Sequence, residues 1–268
     1  MTGHLKRWIT GIVAVPILFY LVCFGGPFLF AALIALLLAG GMFEYHRMVF
    51  GKGRPLEMAE GICAAILFPM AALVGGAGLL AASAVLSFIV VFLLYLFRAG
   101  EALPEIADLM KVVSGIVYLP FLFGHAVLIR SLDNGIAWIF FVVILAFSGD
   151  ITAFYVGRKW GRRKLMPLVS AGKTVEGTLG LIAGTIIGCL IYRTFFLPEL
   201  SPADTVVLAF LGSLLCQLGD LFESAIKRSA RVKDSGFLFP GHGGVLDRLD
   251  SLVFMVPFVY YYQTLVIS

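Results

Sequence analysis

LLAASAVLSFIVVFLLYLF, residues 79–97, is a run of nineteen side chains without one charge. At ~1.5 Å of rise per residue a helix of that length is about as long as the ~30 Å hydrocarbon core of a bilayer is thick. The rest of the chain repeats the theme. Of 268 residues, 60% are apolar and 13% charged, with 24 phenylalanines. A soluble domain carries about 25% charged residues. Too little polar surface is present to cover a water-soluble body, so lipid is the solvent this sequence is written for.

Working outward from that run, nine segments are apolar and long enough to span: about 8–24, 28–45, 60–77, 79–97, 113–130, 136–157, 178–197, 205–223 and 251–267. The expected fold is therefore all-α, a polytopic membrane protein of about nine transmembrane helices. Gly25-Gly26-Pro27 and Gly75-Gly76-Ala77-Gly78 mark the tightest turns, being built from helix breakers. Residues 1–147 form an N-terminal group of about five and a half spans. Residues 148–268 form a second region with two long polar loops, 158–177 and 224–250. No internal repeat is evident.

Lys and Arg set the orientation, because they collect in cytoplasmic loops. With the N-terminus inside, eighteen of the 20 basic residues fall on the cytoplasmic side. Only Arg130 and Arg193 lie toward the outside, and the C-terminus ends there. The net charge of +4 then reflects membrane orientation and not nucleic-acid binding. Lys6 and Arg7 before an apolar run could imitate a signal peptide, but no small-residue cleavage site follows. We read 8–24 as an uncleaved span. Cys23, Cys63, Cys189 and Cys216 all sit in apolar runs without a C-x-x-C pair, as small buried residues and not a disulfide frame or zinc site.

Acids inside spans are expensive and invite a functional reading. Asp150 lies within the sixth run. Asp220, Glu223, Ser224 and Lys227 follow the spacing i, i+3, i+4, i+7 and share one face of a helix. Asp247 and Asp250 form a second i, i+3 pair where the ninth run begins. Interface salt bridges are the plain alternative, with Glu223 to Lys227 as an i, i+4 pair. Two acidic helix ends flanking one basic loop favour a hard-cation site, since Mg²⁺ takes one or two carboxylates plus substrate phosphates. The loop between them holds Gly241, His242, Gly243 and Gly244, where backbone N–H groups can approach phosphate oxygens. His242 reads as a phosphate contact or loop brace ahead of an acid or base. In the other loop, Gly172-Lys173-Thr174 imitates a P-loop, but Pro167 stands where that motif needs glycine and no strand is expected before it. Lys173 instead points to a substrate phosphate, and Arg158 to Lys164 anchor the loop at anionic lipid heads. Nothing resembles a Ser-His-Asp set. Phosphoryl or nucleotidyl transfer, which needs positioning and charge neutralisation, fits this inventory.

From Ser224 to Asp250 the chain resembles the signature of the phosphatidate cytidylyltransferases. The residues that carry this are Ser224, Ile226-Lys227-Arg228, Lys233-Asp234, Gly236, Phe239-Pro240, His242-Gly243-Gly244-Val245, and Asp247-Arg248-Leu249-Asp250. The segment from Ser148-Gly149-Asp150 through Gly157-Arg158 to Ser170, Gly172-Lys173-Thr174 and Glu176-Gly177 is similar to the same family. It departs at Asp150-Ile151-Thr152, where the family often has Asp-Thr-Gly or Asp-Thr-Ala, and at Val175, where an aromatic is common. The resemblance implies transfer of the cytidylyl group of CTP to phosphatidic acid, giving CDP-diacylglycerol and pyrophosphate in phospholipid biosynthesis. It implies Mg²⁺ as cofactor, with room for a second cation. Asp220 and Asp247 would hold the metal, with Asp250 and Asp150 as outer or second-cation ligands. Lys227, Arg228, Lys233 and Arg248, with Ser224, His242, Gly243 and Gly244, would meet substrate phosphates. Lys173, Ser170 and Thr174 would face the nucleotide. The expected setting is the bacterial inner membrane, with the site facing the cytoplasm. The expected partners are CTP, phosphatidic acid and membrane lipid, with no nucleic acid, and self-association as a homodimer. The competing class is an ion-coupled transporter, but broken paired spans and repeats are missing and the polar residues crowd one end of the membrane. A CDP-alcohol phosphotransferase is set aside because Ser251 stands where its motif needs glycine.

Overall fold

The computed structural model describes residues 15–51, 53–98, 105–236 and 243–267. Those residues are overwhelmingly helical. In chain order they form α1 (Val15–Phe24), α2 (Gly26–Phe50), α3 (Pro55–Phe97), α4 (Ile106–Ile116), α5 (Leu122–Arg130) and α6 (Gly135–Trp160). A hairpin of β1 (Lys164–Met166) and β2 (Ser170–Thr174) follows, then α7 (Val175–Phe196), α8 (Pro202–Ser229) and α9 (Leu246–Tyr262). A π-turn, Val117–Phe121, joins α4 to α5 and contains Pro120. Proline has no N–H to offer the preceding turn, and a widened turn absorbs that loss.

Among the described residues seven helical segments are long and apolar enough to cross a membrane. Six match expected spans closely, each helical segment starting before its apolar window. The seventh, α3, has 43 residues and covers two expected spans at once. It is broken at Gly75 (φ −132°, ψ 17°) and Gly76 (φ 62°, ψ −155°). The positive φ at Gly76 is one that a side chain would strain, so the breaker read from the sequence does break the helix. The first expected span, 8–24, lies partly outside the described residues. One feature was not expected: the polar loop 158–177 carries an antiparallel hairpin, with Lys164 opposite Thr174 and Met166 opposite Ser170. β1 comes before the Gly-Lys-Thr triplet, which itself lies inside β2, so the expectation that no strand precedes it is overturned.

The chain divides into two compact units, one within Met1–Ser131 and Asp234–Arg248, the other within Leu132–Lys233 and Leu249–Ser268. In the first, α2, α3, α4 and α5 pack through Phe30, Ile34, Leu38, Phe68, Leu119 and Ile129, all buried. The Tyr45 hydroxyl donates to the Lys111 carbonyl (3.0 Å), tying α2 to α4. At one end Arg54 meets Asp108 (2.8 Å) and Glu57 (3.5 Å), Arg98 meets Glu57 (3.3 Å) and Glu60, and Lys111 meets Asp108 (2.8 Å).

The second unit is built on the pair α6 and α7. Gly180, Gly184 and Gly188 recur every fourth residue on α7 and face α6. A Cβ at Gly184 would fall 2.0 Å from Thr152 Oγ1, at Gly180 2.7 Å from Val156, and at Gly188 2.6 Å from Ser148. Small residues let helix backbones approach where no hydrophobic force separates protein from solvent. The contact is also polar. Thr152 Oγ1 bonds the carbonyls of Gly149 (2.8 Å) and Gly180 (2.7 Å), and Tyr192 donates to the Ala137 carbonyl (2.9 Å). The departure at Thr152 from the family pattern therefore has a packing role. Phe147, Ile151 and Phe154 on α6, like Val74, Val85 and Leu86 on α3, present large apolar side chains outward. In a soluble protein such faces would be liabilities, whereas lipid covers them at no cost.

Candidate active site

Within the second unit the expected residues gather around Asp220 on α8. Lys173 Nζ at the end of β2 lies 2.6 Å from Asp220 Oδ2. The Ser224 hydroxyl donates to Asp220 Oδ1 (3.3 Å), one helical turn on. Asp150 on α6 and Asp250 on α9 both lie within electrostatic range of Asp220 and Lys173. Asp250 can come this close because residue 219 is glycine: a Cβ there would stand 2.2 Å from the Asp250 carbonyl oxygen. Its carboxylate accepts the N–H of Ser251 (2.6 Å). The ionic stripe read from spacing is present. Asp220 and Ser224 are bonded, and Glu223, fully buried, pairs with Lys227.

The hairpin delivers Lys173. Glu176, on the first turn of α7, accepts the N–H groups of Arg162 (3.0 Å) and Arg163 (3.2 Å) and pairs with the Arg163 side chain (3.2 Å). Thr174 caps α7, its Oγ1 accepting the Gly177 N–H (3.0 Å). Its hydroxyl also sits close to Gly157 and Gly161, where added Cβ atoms would come within 3.2 Å and 2.9 Å of it. Thr174, expected at the nucleotide, thus holds the base of the hairpin in this structure. Ser170 lies half-buried on β2, Arg228 reaches the Val169 carbonyl (3.4 Å), and Lys233 is exposed.

The remaining expected residues belong to the first unit. Asp247 Oδ2 accepts the N–H of Gly244 (2.8 Å) and of Ser235 (3.2 Å). Gly243 takes φ +83°, with its Cα packed on the Asp247 carboxylate. The Gly244 N–H, expected to face a phosphate, is engaged by Asp247. Arg248 is exposed, and His242 lies outside the described residues. Sequence reading missed Glu44 on α2, which is 3% exposed. Its Oε2 accepts the Ser235 hydroxyl (3.2 Å) and the Leu246 N–H (3.0 Å). The available signal was an acid at the end of an apolar run.

Both oxygens of Asp220 are engaged, and among the described residues no three His, Cys, Asp or Glu side chains form a group that could hold an ion. That donor set suits an ion that brings its own ligands. Mg²⁺ keeps waters and binds through one or two carboxylates together with substrate phosphates.

The fold and this cluster define a class: a polytopic helical membrane protein with carboxylates and a lysine gathered around one aspartate of its second unit. The profile of the Cytidylyltransferase family matches residues 5–266, and the chain belongs to that family. It is 42% identical over 149 residues to a phosphatidate cytidylyltransferase of Bacillus subtilis, covering 54% of this chain and 54% of that one. It is 43% identical over 136 residues to YnbB, an uncharacterised protein of Escherichia coli, covering 49% of this chain and 44% of the other. A phosphatidate cytidylyltransferase of Synechocystis is 31% identical over 289 residues, covering 98% of this chain and 97% of its own length. The chain thus spans about half the length of the first two relatives and nearly all of the third.

Proposed function

We propose that this protein transfers the cytidylyl group of CTP to phosphatidic acid, forming CDP-diacylglycerol and releasing pyrophosphate. The observation that carries the reading is the second-unit cluster, in which Lys173 and Asp220 are in contact and Asp150 and Asp250 lie within electrostatic range of both. An acid-rich site with a lysine suits a metal–nucleotide complex, and the family supplies the substrate class. One or two of Asp220, Asp250 and Asp150 would supply oxygen to Mg²⁺, with substrate phosphates and water completing its ligands and a second cation entering only with the substrate. Asp247 joins the proposed set on the strength of the family signature alone. When bound, the ion neutralises the triphosphate and the departing pyrophosphate.

The chain's own residues do the rest. Lys173 exchanges its Asp220 partner for a phosphate oxygen of CTP. Lys227, Arg228, Lys233 and Arg248 supply positive charge to the phosphates of both substrates, with Ser224, Ser170 and His242 as polar contacts. A phosphate oxygen of phosphatidate attacks the α-phosphorus of CTP, and the bond to the β-phosphate oxygen breaks. That oxygen is already anionic at neutral pH, so no side chain has to remove a proton. Positioning and charge neutralisation carry such reactions.

The proposed setting is an inner membrane crossed nine times, with α3 counted as two crossings on either side of Gly76. The N-terminus and both polar loops then face the cytoplasm, where CTP is found. Lys and Arg asymmetry supports this orientation. Purified protein in detergent, given CTP, Mg²⁺ and phosphatidate, should form CDP-diacylglycerol, and Asp220→Ala should not. A well-folded protein inactive over several nucleotides and lipid acceptors would overturn the assignment.

A further inference from the structure

Leu168 is 94% exposed, more than any other large apolar side chain among the described residues. Most of the others lie on helices that lipid covers, but Leu168 lies at the tip of the β1–β2 hairpin, beyond any spanning helix. The tip is a tight turn closed by the Val169 N–H on the Met166 carbonyl (3.1 Å), with Pro167 and Leu168 at its centre. Proline at the first central position stiffens such a turn, and at the second Gly, Asn, Asp and Ser are usual. Leu168 takes that second position, with Met166 exposed beside it on β1 and Trp160 exposed at the end of α6. The charge around the tip has one sign. No acid occurs between Asp150 and Glu176, while the same stretch holds Arg158, Lys159, Arg162, Arg163, Lys164 and Lys173. Arg163 pairs with Glu176 and Lys173 with Asp220, which leaves four bases for another partner. Lys159 Nζ lies 4.8 Å from the centre of the Trp160 ring. Trp beside Lys and Arg is the composition of a bilayer interface, and clustered bases are drawn to anionic lipid. The hairpin begins at Lys164, just past the end of α6, and runs directly into α7. Both helices are long and apolar enough to span, so the hairpin emerges at the bilayer surface.

We propose that the β1–β2 hairpin docks on an anionic phospholipid surface, Leu168 and Met166 entering the head-group boundary and Arg158, Lys159, Arg162 and Lys164 meeting lipid phosphates, and that docking holds Lys173 at Asp220. The coupling rests on the proposed function above, in which Lys173 receives CTP. β2 carries the linkage, since it starts beside the tip at Ser170 and ends at Lys173 and Thr174. Arg228 Nε on the Val169 carbonyl (3.4 Å) ties the tip side of the hairpin to α8 as well. A strand this short, held at its base by the Thr174 cap and at its tip by lipid, leaves Lys173 little freedom to part from Asp220. Anionic lipid then acts as an activator, in a role separate from that of the phosphatidate substrate.

The test uses the full chain in nanodiscs of phosphatidylcholine, with or without about one third phosphatidylglycerol, at one fixed low fraction of phosphatidate. Each basic residue near an anionic surface strengthens binding about fivefold. Wild type should therefore gain about fivefold or more in kcat/KM for CTP on anionic discs, chiefly through KM. Leu168→Ser, and the double variant Lys159→Gln with Arg162→Gln, should respond by less than about twofold and stay close to wild type on neutral discs. Leu168→Trp gives a readout independent of activity. On anionic discs its added emission over wild type should be lost to lipids brominated near the head-group end of the acyl chain and spared by aqueous iodide. Loss of that emission to iodide, or a wild type indifferent to phosphatidylglycerol, would overturn the proposal. So would a lipid-quenched tip in a protein whose Leu168→Ser variant still responds in full. Protection from both quenchers only in discs that hold two copies would assign the tip to a second copy of the chain, which also overturns it. Should wild type make no CDP-diacylglycerol while lipid quenching holds, the proposed function fails and the docking stands without its coupling.

Discussion

Two ionic clusters of similar size lie in this protein, and they differ in one respect. In the first unit Glu57, Glu60 and Asp108 meet Arg54, Arg98 and Lys111, three acids against three bases, and each is paired. In the second, among the described residues, Lys173 pairs with Asp220 and Lys227 with Glu223, while Asp150 and Asp250 lie within electrostatic range of Asp220. A charge-balanced network is complete as it stands and ties helices together. The second cluster is where the proposed function places a cation from solution. Intramembrane acids alone do not mark a site, since a fully paired set can serve the fold alone.

The comparison breaks most visibly if the acids of the second cluster are dispensable. Asp220→Ala should lower turnover roughly a thousandfold, and chelation of Mg²⁺ should abolish it, with the unfolding midpoint little changed. Near-normal CDP-diacylglycerol formation by that variant would remove the basis for the distinction. Lys173→Met should cost roughly a hundredfold, mostly in kcat/KM for CTP, and steady-state kinetics at varied CTP would show it. In the balanced network the effect should move from activity to stability. Arg98→Ala strands Glu57 and Glu60, and with Arg98 partly exposed the loss should be about 2 kcal/mol. Specific activity of the protein that remains folded should stay within about threefold. A thermal melt beside an activity assay separates the two. At the small end, the exposed Arg163 pairs with Glu176 in open solvent, so Arg163→Ala should leave the melting midpoint where it is.

Much of the fold was legible because the bilayer imposes a length. Apolar runs near twenty residues marked the spans, and Gly75-Gly76 marked the break within α3. Helix ends were less legible. α4 starts at Ile106, whereas the apolar window starts at 113, because hydropathy reports where lipid ends and not where hydrogen bonding ends. The hairpin escaped notice for a different reason. Strands of three and five residues, mostly exposed, bury too little for any alternation to show. In the site, Asp220 with Ser224 and Glu223 with Lys227 were readable because helical spacing fixes local neighbours. The Lys173 partner was not, since it lies on another element, and the same holds for Glu44. An acid at the edge of an apolar run resembles any interface residue until its distant partners are known.

The glycine ridge of α7 has a mechanical consequence. With Gly180, Gly184 and Gly188 seated on α6 and one threonine hydroxyl bonded to carbonyls of both helices, α6 and α7 behave as a single beam. Asp150 rides on one limb of that beam, and Lys173 is fixed to the foot of the other through the Thr174 cap. Backbone contact, and not side-chain packing, then sets how far apart the two stretches of chain that carry the acid and the lysine stand.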